Sequence, residues 1–124
     1  MSELTLLMVD DEIEFLEPMS ARLTRRGVAC KLAQSGDEAL SLLASSRVDC
    51  AVVDVKMPGM DGLELLRRLR RGHPEVPVVL LTGHASAELG VRGMELGAFD
   101  YLLKPVELEE LLDTIRRAVA SARA

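Results

Sequence analysis

Leu4-Thr5-Leu6-Leu7-Met8-Val9-Asp10-Asp11-Glu12 is an apolar run that stops abruptly on three acids. A run without polar alternation predicts a strand covered on both faces, as in the parallel sheets of α/β proteins. The same ending recurs along the chain. Ala51-Val52-Val53 ends on Asp54, Val78-Val79-Leu80-Leu81 on Thr82, and Tyr101-Leu102-Leu103 on Lys104. If these runs lie parallel, their polar ends meet at one rim, which is where ligands bind in open α/β sheets.

The segments between the runs read as helices. From Glu12 to Arg26, Phe15, Leu16, Met19 and Leu23 recur at helical spacing, and Gly27 supplies the stop. Pro18 falls inside that helix, where a missing donor predicts a kink or a loosened first two turns. Val28 to Ala33 forms another strand, and Ser35-Gly36-Asp37-Glu38 has the capping-box spacing that opens a helix through Ala44. Met57-Pro58-Gly59-Met60-Asp61-Gly62 is a loop, followed by a helix from Leu63 to Arg71 ending at Gly72. A weaker helix spans about Ser86 to Leu96, where Gly90 and Gly93 each cost about 1 kcal/mol relative to alanine; it is predicted to be the most mobile. Leu108, Leu111, Leu112, Ile115, Ala118, Val119 and Ala122 make one apolar stripe on the last helix.

Five strands alternating with five helices predict a doubly wound parallel sheet with right-handed crossovers. The order 2-1-3-4-5, the flavodoxin-like arrangement, puts the switch point between the first and third strands. Asp10, Asp11 and Asp54 would then face one another.

The 124 residues allow one domain, residues 1–124, with a single core. A formal net charge of −5 argues against direct nucleic-acid binding and favours protein partners or a small phosphodonor. Cys30 and Cys50 lack metal-ligand spacing and read as small packing residues. No apolar stretch is long enough to span a membrane, and the first residues lack the basic region of a signal peptide, so the expectation is a cytoplasmic protein without a membrane partner.

Three carboxylates close together repel by about 4 kcal/mol per pair at about 4 Å and an effective dielectric near 20. A hard divalent cation with oxygen ligands is the natural compensation; Mg²⁺ is the first expectation and Mn²⁺ a possible substitute. Lys104 adds a mobile positive charge and Thr82 a hydroxyl donor. Together these are the parts for phosphoryl transfer onto a carboxylate nucleophile.

From Asp10 to Lys104 the sequence resembles the receiver domain of response regulators, the CheY-like phosphoacceptor module of two-component signalling and phosphorelays. Asp10-Asp11-Glu12 is similar to its acidic metal-binding cluster, Asp54 to its phosphoacceptor, and Asp54 through Gly62 to its third strand and loop. Thr82 is similar to its switch hydroxyl, Lys104-Pro105 to its lysine before a cis proline, and Tyr101 to its aromatic rotamer switch. The resemblance implies a metal carried by Asp11, with Asp10 acting largely through water, and completed by Asp54 and the main-chain carbonyl of Lys56. It implies that Asp54 takes a phosphoryl group from a histidine kinase or a histidine phosphotransfer protein. Lys56 and His84 match positions that tune acyl-phosphate lifetime. The responding surface would be the fourth helix, fifth strand and fifth helix, acting on a downstream protein or a fused effector domain. A phosphorylation-dependent homodimer stays open.

Taken singly, these residues have plainer readings. The three N-terminal acids could complement a helix dipole, Asp61-Gly62 a turn and helix cap, and Tyr101 a half-buried edge-strand tyrosine. Thr82 alone could be a turn residue and Lys104 a solvated cation, and the arginines from Arg67 to Arg71 fit a solvated helix face. Coincidence at successive strand ends is what favours a site. The expectation is a signalling module rather than an enzyme. The enzymatic alternative, a metal-dependent phosphatase with an aspartyl nucleophile, lacks a general acid two residues after Asp54, where Lys56 stands, and has no cap segment. A flavin module would need a phosphate-cradling loop where Asp10-Asp11-Glu12 would repel phosphate.

Overall fold

The computed structural model describes residues 4–124. Five strands, β1 (Leu4–Val9), β2 (Val28–Ala33), β3 (Cys50–Asp54), β4 (Val78–Thr82) and β5 (Asp100–Leu103), alternate with α1 (Ile13–Thr24), α2 (Gly36–Ser45), α3 (Gly62–Gly72), α4 (Ala87–Glu95) and α5 (Leu108–Arg123). All pairings are parallel and the order is β2-β1-β3-β4-β5. The predicted strand order therefore holds, with β1 and β3 adjacent at the centre.

Every residue of β3 and β4 is buried, as expected of strands covered on both faces. Successive side chains go to opposite layers. Leu6, Met8, Val52, Val79 and Leu81 pack with Leu16, Leu23, Leu111 and Ile115 of α1 and α5. Leu7, Val9, Val53, Val78 and Leu80 pack instead with Ala39, Leu43, Leu65, Leu66 and Leu69 of α2 and α3. Each fully buried leucine contributes about 1.5–3 kcal/mol relative to exposure, so these two layers hold the sheet that carries the rim.

Local signals behave as their chemistry predicts. Ser35 Oγ accepts from Glu38 N at 3.1 Å and Asp61 Oδ1 from Glu64 N at 2.9 Å, so Asp61 is a helix cap. Gly27 ends the α1 region at φ 87°, a conformation available to glycine without strain. Pro18 lies within α1, and the helix runs through it to Thr24 rather than stopping there. Ala122 departs from the predicted stripe: it is exposed near the end of α5, while Leu111, Leu112, Ile115, Ala118 and Val119 are buried. The helix predicted over about Ser86 to Leu96 is α4, preceded by a 3-10 turn at His84–Ser86.

Candidate functional site

The ladder geometry delivers the polar strand ends to one rim. Asp10 N donates to Ala33 O at 3.1 Å, Val55 N to Leu81 O at 2.9 Å, and Lys104 N to Thr82 O at 2.8 Å, extending neighbouring strands to the point where each polar residue begins. The loop after Asp54 is closed by Gly62 N donating to Val55 O at 2.8 Å. A β-carbon on Gly62 would stand 2.7 Å from Val55 Cα and overlap the Asp54 carbonyl, so only glycine allows α3 to start this close to the strand.

Asp10, Asp11 and Asp54 each offer one carboxylate oxygen within 4.8 Å of the others. Asp10 and Asp54 are buried, whereas Asp11 is exposed. Lys104 reaches into this cluster: Nζ donates to Asp10 Oδ2 at 2.6 Å and lies 3.5 Å from Asp54 Oδ1 and 3.8 Å from Glu12 Oε1. Asp10 Oδ1 also accepts from Glu12 N at 2.9 Å. Both Asp10 oxygens are thus already engaged within the protein. Three carboxylates against one ammonium leave excess negative charge, and an all-oxygen donor set of this kind fits a hard divalent cation.

Burial, then the neighbouring Asp10 charge, pushes the Asp54 carboxyl up to about 6, although Lys104 opposes the shift. Burial alone would lower the Lys104 ammonium, but its bonds and charge interactions with Asp10 and Asp54 outweigh this and raise it. Phe15 adds a contact that the sequence reading missed: its ring centroid lies 4.5 Å from Lys104 Nζ. The periodicity marked Phe15 only as part of an apolar helix face.

Thr82 sits at the end of β4, one residue beyond the Asp54–Leu81 pairing, and is buried. Its hydroxyl donates to Ser86 O at 2.9 Å, toward the turn that leads into α4. Tyr101 is partly buried on the edge strand β5, beside Leu80 in register. Lys56 and His84 are exposed on the loops after β3 and β4. The rim therefore unites Asp10, Asp11, Asp54 and Lys104, with Thr82 alongside and Tyr101 on the α4 side. The Lys104–Pro105 bond is cis.

A family model described as the response regulator receiver domain matches residues 6–116. The DNA-binding transcriptional regulator NtrC of Salmonella typhimurium is 36% identical over 113 residues, covering 91% of this chain and 24% of that protein. Response regulator MprA of Mycolicibacterium vanbaalenii is 45% identical over 111 residues, covering 90% of this chain and 48% of that protein. The chain spans about a quarter to a half of the length of these relatives. Among solved structures, a receiver domain protein from Clostridium thermocellum superposes with a TM-score of 0.92 at 30% identity, covering 97% of both chains. A CheY-like receiver domain protein from Methanospirillum hungatei JF-1 gives 0.90 at 30% identity, covering 98% of both.

Proposed function

This chain belongs to the response regulator receiver family, and on that premise we propose that residues 1–124 are one receiver domain whose Asp54 is the phosphoacceptor. The observation that carries the assignment is the buried Asp54 carboxylate at the open rim, 3.5 Å from Lys104 and grouped with Asp10 and Asp11. Receiver domains serve phosphorylation-dependent signalling, and the family match lends nothing to the phosphatase alternative.

An Asp54 carboxylate oxygen attacks phosphorus, the bond from phosphorus to the donor breaks, and the electron pair leaves with the donor. The donor is a histidine kinase or a histidine phosphotransfer protein, replaceable by a small acyl phosphate. Mg²⁺, or Mn²⁺, would be held by Asp11, Asp54, the Lys56 carbonyl and Asp10 through water, and would supply charge neutralisation during transfer. Lys104 exchanges part of its carboxylate contact for a phosphoryl oxygen, and Thr82 turns its hydroxyl from Ser86 O toward another. Tyr101 responds to that rearrangement, while Lys56 and His84, exposed beside the site, tune the acyl phosphate's lifetime. Apart from this self-catalysed gain and loss of the phosphoryl group, the domain is not an enzyme.

The output surface is α4-β5-α5, acting on a partner or a fused effector domain, with a phosphorylation-dependent homodimer as one form of output. Val91 and Met94, exposed large apolar residues of α4, support a docking role for that face. Nucleic acid is not a direct partner in this reading. Among the described residues no helix is long and apolar enough to cross a membrane, and the proposed location is the cytoplasm.

Intact-mass measurement with a small acyl phosphate tests the function. Wild type should gain one phosphoryl group with Mg²⁺ present and none with chelator, and Asp54→Asn should gain none. A gain that ignores the metal, or that persists in Asp54→Asn, contradicts the assignment.

A further inference from the structure

Two glycines of α4 lie directly over two side chains that are neighbours across the β4–β5 ladder. Leu80 and Tyr101 are paired in register and face the same layer. Gly93 lies over Leu80, where a β-carbon would overlap Leu80 Cδ1. Gly90, one helical turn earlier, lies over the Tyr101 ring. A β-carbon there would stand 2.6 Å from Tyr101 Cγ and 2.9 Å from Cε2, closer than real carbon contacts allow. Both glycines are buried. The ring therefore fills the volume that any other residue at position 90 would occupy.

The same helix is approached from its other end by Thr82, whose hydroxyl donates to Ser86 O immediately before α4. Leu80 and Thr82 are two residues apart on one strand, so they lie on the same face as Tyr101. Three contacts thus seat α4 on the sheet: Thr82 at its start, Tyr101 under Gly90, and Leu80 under Gly93.

We infer that Gly90 is a positioning residue for Tyr101: the gap it leaves holds the ring in its resting seat, and so sets how far the chain lies toward the phosphorylated conformation before phosphorylation. The inference rests on the proposed role of Tyr101 as a responder to Asp54. A β-carbon at position 90 penalises the conformation in which the ring lies beneath it. Any conformation in which the ring has left that seat escapes the penalty. Removing stability from the resting state alone shifts the population toward the other, and by linkage tightens whatever ligand that other state prefers.

Tyr101 is the chain's single tyrosine and there is no tryptophan, so tyrosine emission reports on this side chain alone. Beryllium fluoride with Mg²⁺, a phosphoryl mimic on a carboxylate, is the titrant. Gly90→Ala should differ from wild type in emission and acrylamide quenching before addition, converge with it at saturation, and bind the mimic about fivefold more tightly, the low end of ordinary coupling. A stability comparison reads the contact independently. Alanine favours helix over glycine, so Gly90→Ala should raise the thermal midpoint when made in Tyr101→Ala, and should raise it far less or not at all when Tyr101 is present.

Unchanged emission and mimic affinity in Gly90→Ala, with a wild type that labels at Asp54, overturn the inference and leave the proposed function standing. An equal midpoint change in both backgrounds also overturns it. Failure of wild type to label at all overturns the proposed function, and this inference with it.

Discussion

Asp54→Asn should be more stable than wild type in metal-free buffer at neutral pH, and the advantage should vanish in acid. The folded chain holds the Asp54 carboxyl at about 6 against an ordinary 3.8, first through burial and then through the charge of Asp10. Between about pH 4 and 6 the folded state therefore keeps a proton that the unfolded state has released. Stability falls as pH rises through that window, and the full penalty applies above it. A shift of this size corresponds to about 2–3 kcal/mol at about 1.4 kcal/mol per pH unit. Asparagine carries no charge to desolvate, so denaturant unfolding with chelator should show its gain at pH 7–8 and none near pH 4. Saturating Mg²⁺ should stabilise wild type and narrow or reverse the difference, because a ligand of the folded state alone adds stability by mass action. Equal stabilities at every pH would mean that the crowded carboxylates are not under electrostatic tension.

Lys104→Ala should separate chemistry from response. Without the ammonium 2.6 Å from Asp10 and 3.5 Å from Asp54, the acids lose their internal cation. Asp10, 1% exposed, is then a buried charge without its cationic partner, and the metal-free protein should lose about 3 kcal/mol, a loss that Mg²⁺ largely restores. Labelling by an acyl phosphate should continue, slowed about 100- to 1000-fold by loss of one stabiliser of developing charge. Tyr101 emission should no longer change on labelling. A phosphorylated Lys104→Ala chain that shifts its emission and binds its partner like wild type would remove Lys104 from the relay.

The sheet was legible in the sequence because burial on both faces leaves a strand almost no choice of residue. Val52-Val53 and Val78 to Leu81 are apolar throughout, and all are buried. The polar residues that end those runs are legible because they break the apolar pattern at positions that are still buried, as Asp10, Asp54 and Thr82 are. What the sequence did not show was direction and partner. Thr82 was expected at the rim and is there, but its hydroxyl is turned to Ser86 O, a choice set by the short turn before α4. Phe15 and Lys104 meet through the fold, and no spacing rule links a helix face to a residue on a distant loop. Helix propensity marks Gly90 and Gly93 as weaknesses; they are also the places where a β-carbon on α4 would strike Tyr101 and Leu80. Ala122 kept the helical period but lies beyond the end of the core, where there is nothing left to pack against.

In the proposed function the phosphoryl group resides on Asp54. Borohydride reduces an acyl phosphate of aspartate to homoserine, so labelled protein can be reduced, digested and read by peptide mass. With Mg²⁺ and an acyl phosphate donor, homoserine should be found at position 54 and at no other aspartate, including Asp10 and Asp11, and should be absent when the donor is omitted. Homoserine at Asp10 or Asp11, or labelled protein with residue 54 still aspartate, would mean that Asp54 is not the phosphoacceptor.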